Sequence, residues 1–132
     1  MKTLLLYYAD DDIDDLNLVK EAAEKYNHQV ETFFSGEELL ATLKSAKIKP
    51  DIVMLDYFMP AADGLQTLKR IKDNYPNLPV VMITGSCSLL MKKNFIDAGA
   101  NYVVEKPMSF RDQKEIIKII TDIDWNGFKY AI

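Results

Sequence analysis

Asp51-Ile52-Val53-Met54-Leu55-Asp56 is the stretch on which the fold turns. Pro50 breaks the chain before it, four apolar residues run without interruption, and a carboxylate closes it. An unbroken apolar run of this length is what a strand buried on both faces requires, and such strands belong to the middle of parallel sheets. Parallel neighbours need crossover connections, most often helices. The flanking sequence supplies them. Upstream, Ser35-Gly36-Glu37-Glu38 reads as a capping box that opens a helix reaching about Ala46. Downstream, Gly64 precedes a helix carrying Leu65, Leu68 and Ile71.

Working outward, the alternation persists. Leu4-Leu5-Leu6-Tyr7-Tyr8-Ala9 is a second strand apolar on both faces, and Ile13, Leu16, Val19, Ala23 and Tyr26 follow at helical steps of three and four. Residues 29–34 alternate, as a strand nearer a sheet edge does. Pro76 and Pro79 bracket a turn before Val80-Val81-Met82-Ile83-Thr84. A helix with Leu89, Leu90, Phe95 and Ile96 then ends at Gly99, a plausible C′ residue. Tyr102-Val103-Val104 is the fifth strand, and Ser109 caps a last helix bearing Ile116, Ile117, Ile120 and Ile123. Five strands and five helices in strict alternation predict an α/β fold: a five-stranded parallel sheet, doubly wound, in the flavodoxin-like order 2-1-3-4-5.

The chain of 132 residues, 48% hydrophobic, has the material for one core. We divide it into a domain, 1–124, and an aromatic C-terminal tail, 125–132. The tail is expected to pack on its own domain, with a homodimer or partner contact as the alternative. A net charge of −4 gives no broad electrostatic reason to bind nucleic acid, and no apolar run is long enough to span a membrane. Cys87 is the only cysteine, so no internal disulfide forms, which fits a cytoplasmic location. The first residues, Met-Lys-Thr and three leucines, begin like a signal peptide. They then meet Asp10-Asp11-Asp12 with no small-residue cleavage site.

In open sheets of this kind ligands bind beyond the carboxyl ends of the strands. Those ends carry Asp10 and Asp11, Asp56, Thr84, and Glu105-Lys106-Pro107. In the 2-1-3-4-5 order strands 1, 3, 4 and 5 neighbour one another there, so three carboxylates, a hydroxyl and an ammonium are expected in one crevice. Clustered carboxylates call for a cation, and a few protein oxygens completed by water suit Mg²⁺. A carboxylate can attack phosphorus to give an aspartyl phosphate, with the cation, the lysine and the hydroxyl balancing phosphoryl charge.

The sequence resembles the receiver domains of two-component response regulators over essentially its whole length. The first strand with its acidic pair, the run Asp56-Tyr57-Phe58-Met59-Pro60-Ala61-Ala62-Asp63-Gly64, the pair Thr84-Gly85 and the pair Lys106-Pro107 each resemble a motif of that family, in order. The resemblance implies that Asp56 is the phosphoacceptor, supplied by a histidine kinase or phosphotransfer protein. It implies that Asp10, Asp11, Asp56 and the Phe58 backbone carbonyl hold Mg²⁺. Thr84 and Lys106 would bind phosphoryl oxygens, Gly85 would leave them room, and a cis-prolyl bond would follow Lys106. Phosphorylation would then shift the surface of helix 4, strand 5 and helix 5 and change the affinity for an output partner not identified by sequence. The implied molecule is a signalling phosphoacceptor rather than an enzyme, without a covalent output domain. Small regulators paired with phytochrome-type or hybrid kinases are a narrower likeness.

The pattern is broken in places. The residue three before Lys106 is Val103 where the family usually has an aromatic, and Tyr102 faces the opposite way on a strand. Phe58 is bulky, and its ring is expected to shield a phosphoryl group from water. Blander readings cover other residues: Asp12, Asp14 and Asp15 as a solvated helix start, Asp63 as a helix cap, His28 as a surface residue and Cys87 as an unremarkable thiol. Two rival functions are a receiver-like interaction module that is never phosphorylated, and an aspartyl-phosphate phosphatase. The second lacks a carboxylate two residues after Asp56, where Phe58 stands.

Overall fold

The computed structural model describes residues 2–57, 59, 64–85 and 88–126. The expectations placed on Phe58, Asp63 and Cys87, and on the tail beyond Asn126, lie outside these residues. Ten elements alternate: β1 (Leu5–Ala9), α1 (Ile13–Lys25), β2 (Gln29–Phe33), α2 (Gly36–Ser45), β3 (Ile52–Asp56), α3 (Gly64–Asn74), β4 (Val80–Thr84), α4 (Leu89–Asp97), β5 (Tyr102–Glu105) and α5 (Phe110–Asp122). The strands form one parallel sheet in the order β2-β1-β3-β4-β5, as expected.

The period of two along each strand sorts the core into two layers. Tyr7, Ala9, Val53, Leu55, Val80, Met82 and Val103 face α2, α3 and α4, where they meet Leu39, Leu43, Leu68, Ile71 and Phe95. Leu6, Tyr8, Ile52, Met54, Val81 and Ile83 face α1 and α5, where they meet Leu16, Val19, Ala23, Ile117 and Ile120. Tyr102 and Val103 therefore lie on opposite faces. Val103 joins the first layer, whereas Tyr102 packs in the second with its ring 6.5 Å from that of Trp125.

Helix ends follow their local chemistry. Ser35, Ser88 and Ser109 cap α2, α4 and α5 by accepting from the backbone three residues on. Glu38 Oε2 accepts from Phe34 N–H at 3.0 Å, a variant of the expected capping box. Gly99 ends α4 with φ of 110°, the left-handed geometry that favours glycine.

Four expectations about particular side chains need correction. Ile13 is 51% exposed, and Leu89 and Leu90 are about 70% exposed, so they are not core residues. Each sits in the first turn of its helix, where the apolar stripe runs past the edge of the sheet. His28 is buried, not superficial: its Nδ1 accepts from Leu4 N–H at 3.0 Å. No cis peptide bond occurs among the described residues, so Lys106–Pro107 is trans, the lower-energy isomer.

Candidate functional site

Strand register brings the carboxyl ends of β1, β3, β4 and β5 level. Ala9 pairs with Leu55, Asp56 with Ile83, and Thr84 with Glu105. Backbone hydrogen bonds continue one residue beyond the strands: Asp10 N–H to the Phe33 carbonyl, Tyr57 N–H to Ile83, and Lys106 N–H to Thr84. Asp10, Asp56, Thr84 and Lys106 are thus held in or directly beside the ladder rather than by a free loop. Gly64 closes the floor. A Cβ on it would stand 2.5 Å from the Asp56 carbonyl oxygen and 2.9 Å from Tyr57 Cα, so only glycine lets α3 start this close to the end of β3.

Carboxylate oxygens of Asp10, Asp11 and Asp56 lie within 4.8 Å of one another. Asp10 and Asp56 are buried, while Asp11 is exposed. Lys106 Nζ stands 3.1 Å from Asp10 Oδ2 and 3.7 Å from Asp56 Oδ1, the second contact being an ion pair too long for a hydrogen bond. Thr84 is fully buried at the end of β4. Gly85 is exposed, and a Cβ added there would meet no atom within 4 Å, in keeping with an open position above the site.

Two residues that sequence reasoning missed also belong here. Tyr8 donates its hydroxyl to Asp10 Oδ2 at 2.5 Å. Asp15, expected to be solvated, makes the shortest contact of Lys106, at 2.7 Å. Tyr8 could have been found, because residues i and i+2 on a strand share a face and a tyrosine is long enough to reach the strand end. Asp15 had no such signal, since its partner is 91 positions away. Asp12 caps α1, with Oδ1 accepting from Asp14 and Asp15 N–H, and Asp10 Oδ1 in turn accepts from Asp12 N–H at 2.9 Å.

The electrostatics are in tension. Burial and the neighbouring Asp10 charge push the Asp56 carboxyl up to about 7, with Lys106 only partly opposing them. Burial alone would lower the Lys106 ammonium, but the Asp15 hydrogen bond and the Asp10 and Asp56 charges raise it above its usual range. Burial and Asp10 likewise hold the Tyr8 phenol protonated. One ammonium does not neutralise four carboxylates, so the donor set fits a hard divalent cation: all oxygen, compact and under-neutralised.

Residues 6–121 match the response regulator receiver domain family. The transcriptional regulatory protein TrcR of Mycobacterium tuberculosis is 31% identical over 103 residues, which cover 78% of this chain and 39% of the relative. The chain therefore spans well under half the length of that curated relative. A CheY-like response regulator receiver domain protein from Methanospirillum hungatei superposes with a TM-score of 0.78 at 26% identity, covering 92% of this chain and 95% of that one. The Mn²⁺-bound form of response regulator Rcp1 shares the fold, with a TM-score of 0.79 at 20% identity over 98% of this chain and 99% of that one. With that match across nearly all of the sheet and its helices, the chain belongs to the response regulator receiver domains of two-component signalling.

Proposed function

We propose that this receiver accepts a phosphoryl group on Asp56 from the phosphohistidine of a histidine kinase or phosphotransfer protein, in a Mg²⁺-dependent reaction. The observation that carries this reading is the meeting of the Asp10, Asp11 and Asp56 carboxylates within 4.8 Å, with the Lys106 ammonium 3.7 Å from Asp56. An Asp56 oxygen forms the new bond to phosphorus as the bond from phosphorus to the donor nitrogen breaks. The nitrogen keeps the electron pair. Asp10, Asp11 and Asp56 would hold the cation, joined by the Phe58 carbonyl. When bound, Mg²⁺ would offset the negative charge of the transferring group.

Thr84 and Lys106 are the groups that supply donors to the phosphoryl oxygens. Both lie at the root of the α4–β5–α5 surface, Thr84 through the register with Glu105 and Lys106 through its N–H to the Thr84 carbonyl. A pull on either is a pull on β5, which is how the added charge would reach an output partner. Leu89 and Leu90, exposed at the start of α4, give that surface apolar contact area. Val103 lies in the core layer instead of carrying an aromatic ring, so the signal would pass through the backbone of β5. The receiver unit would be 1–124 with 125–132 as a tail. The tail's first residue, Trp125, is anchored to the domain by Nε1–H donation to the Ile120 carbonyl at 3.1 Å.

Incubation with Mg²⁺ and a small phosphodonor such as phosphoramidate is expected to add one phosphoryl group by mass, and none in Asp56→Asn. No mass gain in the wild type would leave a phosphorylation-independent interaction module as the better reading.

A further inference from the structure

The ammonium that the phosphoacceptor reading assigns to the phosphoryl group is held elsewhere in this structure. Its shortest contact is Asp15 Oδ2 at 2.7 Å, then Asp10 Oδ2 at 3.1 Å, with Asp56 Oδ1 last at 3.7 Å. The backbone of Lys106 is fixed by donation to the Thr84 carbonyl at 2.7 Å, so only the side chain leans, and it leans toward α1. Asp15 is equally well placed. Asp12 caps the helix on the residues around it, and the adjacent Leu16 is buried to 1% exposure. A cavity of about 290 Å³ between α1 and the β5–α5 turn, lined by Asp15, Lys106, Phe110 and Gln113, leaves the lysine stem room to swing. On its inner side Asp10 Oδ2 is shared between Lys106 and the Tyr8 hydroxyl.

We infer that Asp15 is a positioning residue: it latches the Lys106 ammonium onto α1, and a phosphoryl group on Asp56 must compete with the Asp15 carboxylate to recruit it. This rests on Asp56 being the phosphoacceptor. Both latch partners are a little over a quarter exposed, so the exchange trades one partly solvated charge pair for another and demands no deep desolvation. A cation held by Asp10 would compete with Lys106 for that carboxylate, leaving Asp15 as the alternative partner outside the metal cluster. The latch thus sets how firmly the active state is held once charge appears at Asp56.

The test is calorimetric titration of beryllofluoride, a phosphoryl mimic, into the full chain in excess Mg²⁺. Asp15→Asn is expected to bind it about two- to fivefold more tightly than the wild type, the range set by a partly exposed ion pair. Asp14→Asn removes the same charge from the same helical turn but no contact to Lys106, and is expected to match the wild type. Asp15→Glu is expected to restore wild-type affinity, and Mg²⁺ alone is expected to bind Asp15→Asn no more tightly. Equal or weaker beryllofluoride binding by Asp15→Asn, or an equal gain in Asp14→Asn, would overturn the latch while the phosphoacceptor reading stands. If neither the wild type nor Asp15→Asn binds the mimic, both readings fall.

Discussion

The two ends of the sheet bury polar groups in opposite ways. At the amino end, His28 Nδ1 accepts from Leu4 N–H and Asp51 Oδ2 accepts from Leu5 N–H at 2.8 Å. Each side chain there finishes a backbone group that the start of β1 would otherwise leave unpaired, at little electrostatic cost. At the carboxyl end, Asp10, Asp15 and Asp56 crowd round one lysine, Asp11 stands beside Asp10 and Asp56, and Asp56 is driven up to about 7. Polarity at one end satisfies the fold, and polarity at the other strains it. Strain of this kind persists where a ligand is meant to relieve it.

The largest break in this contrast is expected from Asp56→Asn. In metal-free protein the folded Asp56 holds its proton up to about pH 7, whereas the unfolded chain loses it near pH 4. Between these values the folded state binds more protons, so wild-type stability falls as pH rises and levels off above about 7. Asp56→Asn removes that fall. Denaturant unfolding with a chelator is expected to find it more stable than the wild type at pH 8 by up to about 4 kcal/mol, three pKa units' worth, with the gain vanishing near pH 4. Equal stability of the two proteins at pH 8 would remove the strain from the comparison.

The amino end is expected to show the reverse sign. Burial lowers the His28 imidazole, with Asp122 and Asp51 opposing it. Below about pH 6.5 the unfolded chain takes up a proton that folded His28 resists, so this group makes stability fall as pH drops. His28→Ala is expected to cost about 1–3 kcal/mol at pH 7, leaving the Leu4 N–H without its acceptor, and to leave phosphorylation of Asp56 unchanged. Loss of phosphorylation in a folded His28→Ala would mean that the two ends are coupled. The smallest effect is expected from Tyr8→Phe. It deletes one hydrogen bond to Asp10, whose Oδ2 keeps Lys106, and leaves the ring in its layer, for a loss of about 0.5–1 kcal/mol in a thermal melt.

The architecture was legible because its signals are local. Unbroken apolar runs such as 52–55 and helical steps such as Leu16 to Val19 to Ala23 recur in one order, and a parallel sheet leaves few ways to assemble them. The placement of Asp10, Asp11, Asp56, Thr84 and Lys106 was legible for the same reason, since strand ends converge once the order is known. What escaped depends on distance in space or on the limits of a surface. Asp15 meets Lys106 only because the first turn of α1 lies beside the end of β5 in space, and neither residue announces the other. His28 sits at a chain reversal, where composition suggests exposure, yet an unpaired backbone N–H draws it inward. Ile13, Leu89 and Leu90 fit the helical period but lie in first turns that the sheet does not cover.

Tyr102 and Trp125 carry a practical consequence. The chain has one tryptophan, and its indole rests edge-on against a ring of β5, three residues before the last residue of that strand. Emission from a single indole is read without deconvolution, so small displacements of that strand would register as a change in colour or intensity. The molecule brings its own optical gauge, mounted on the face of the sheet that looks away from Val103.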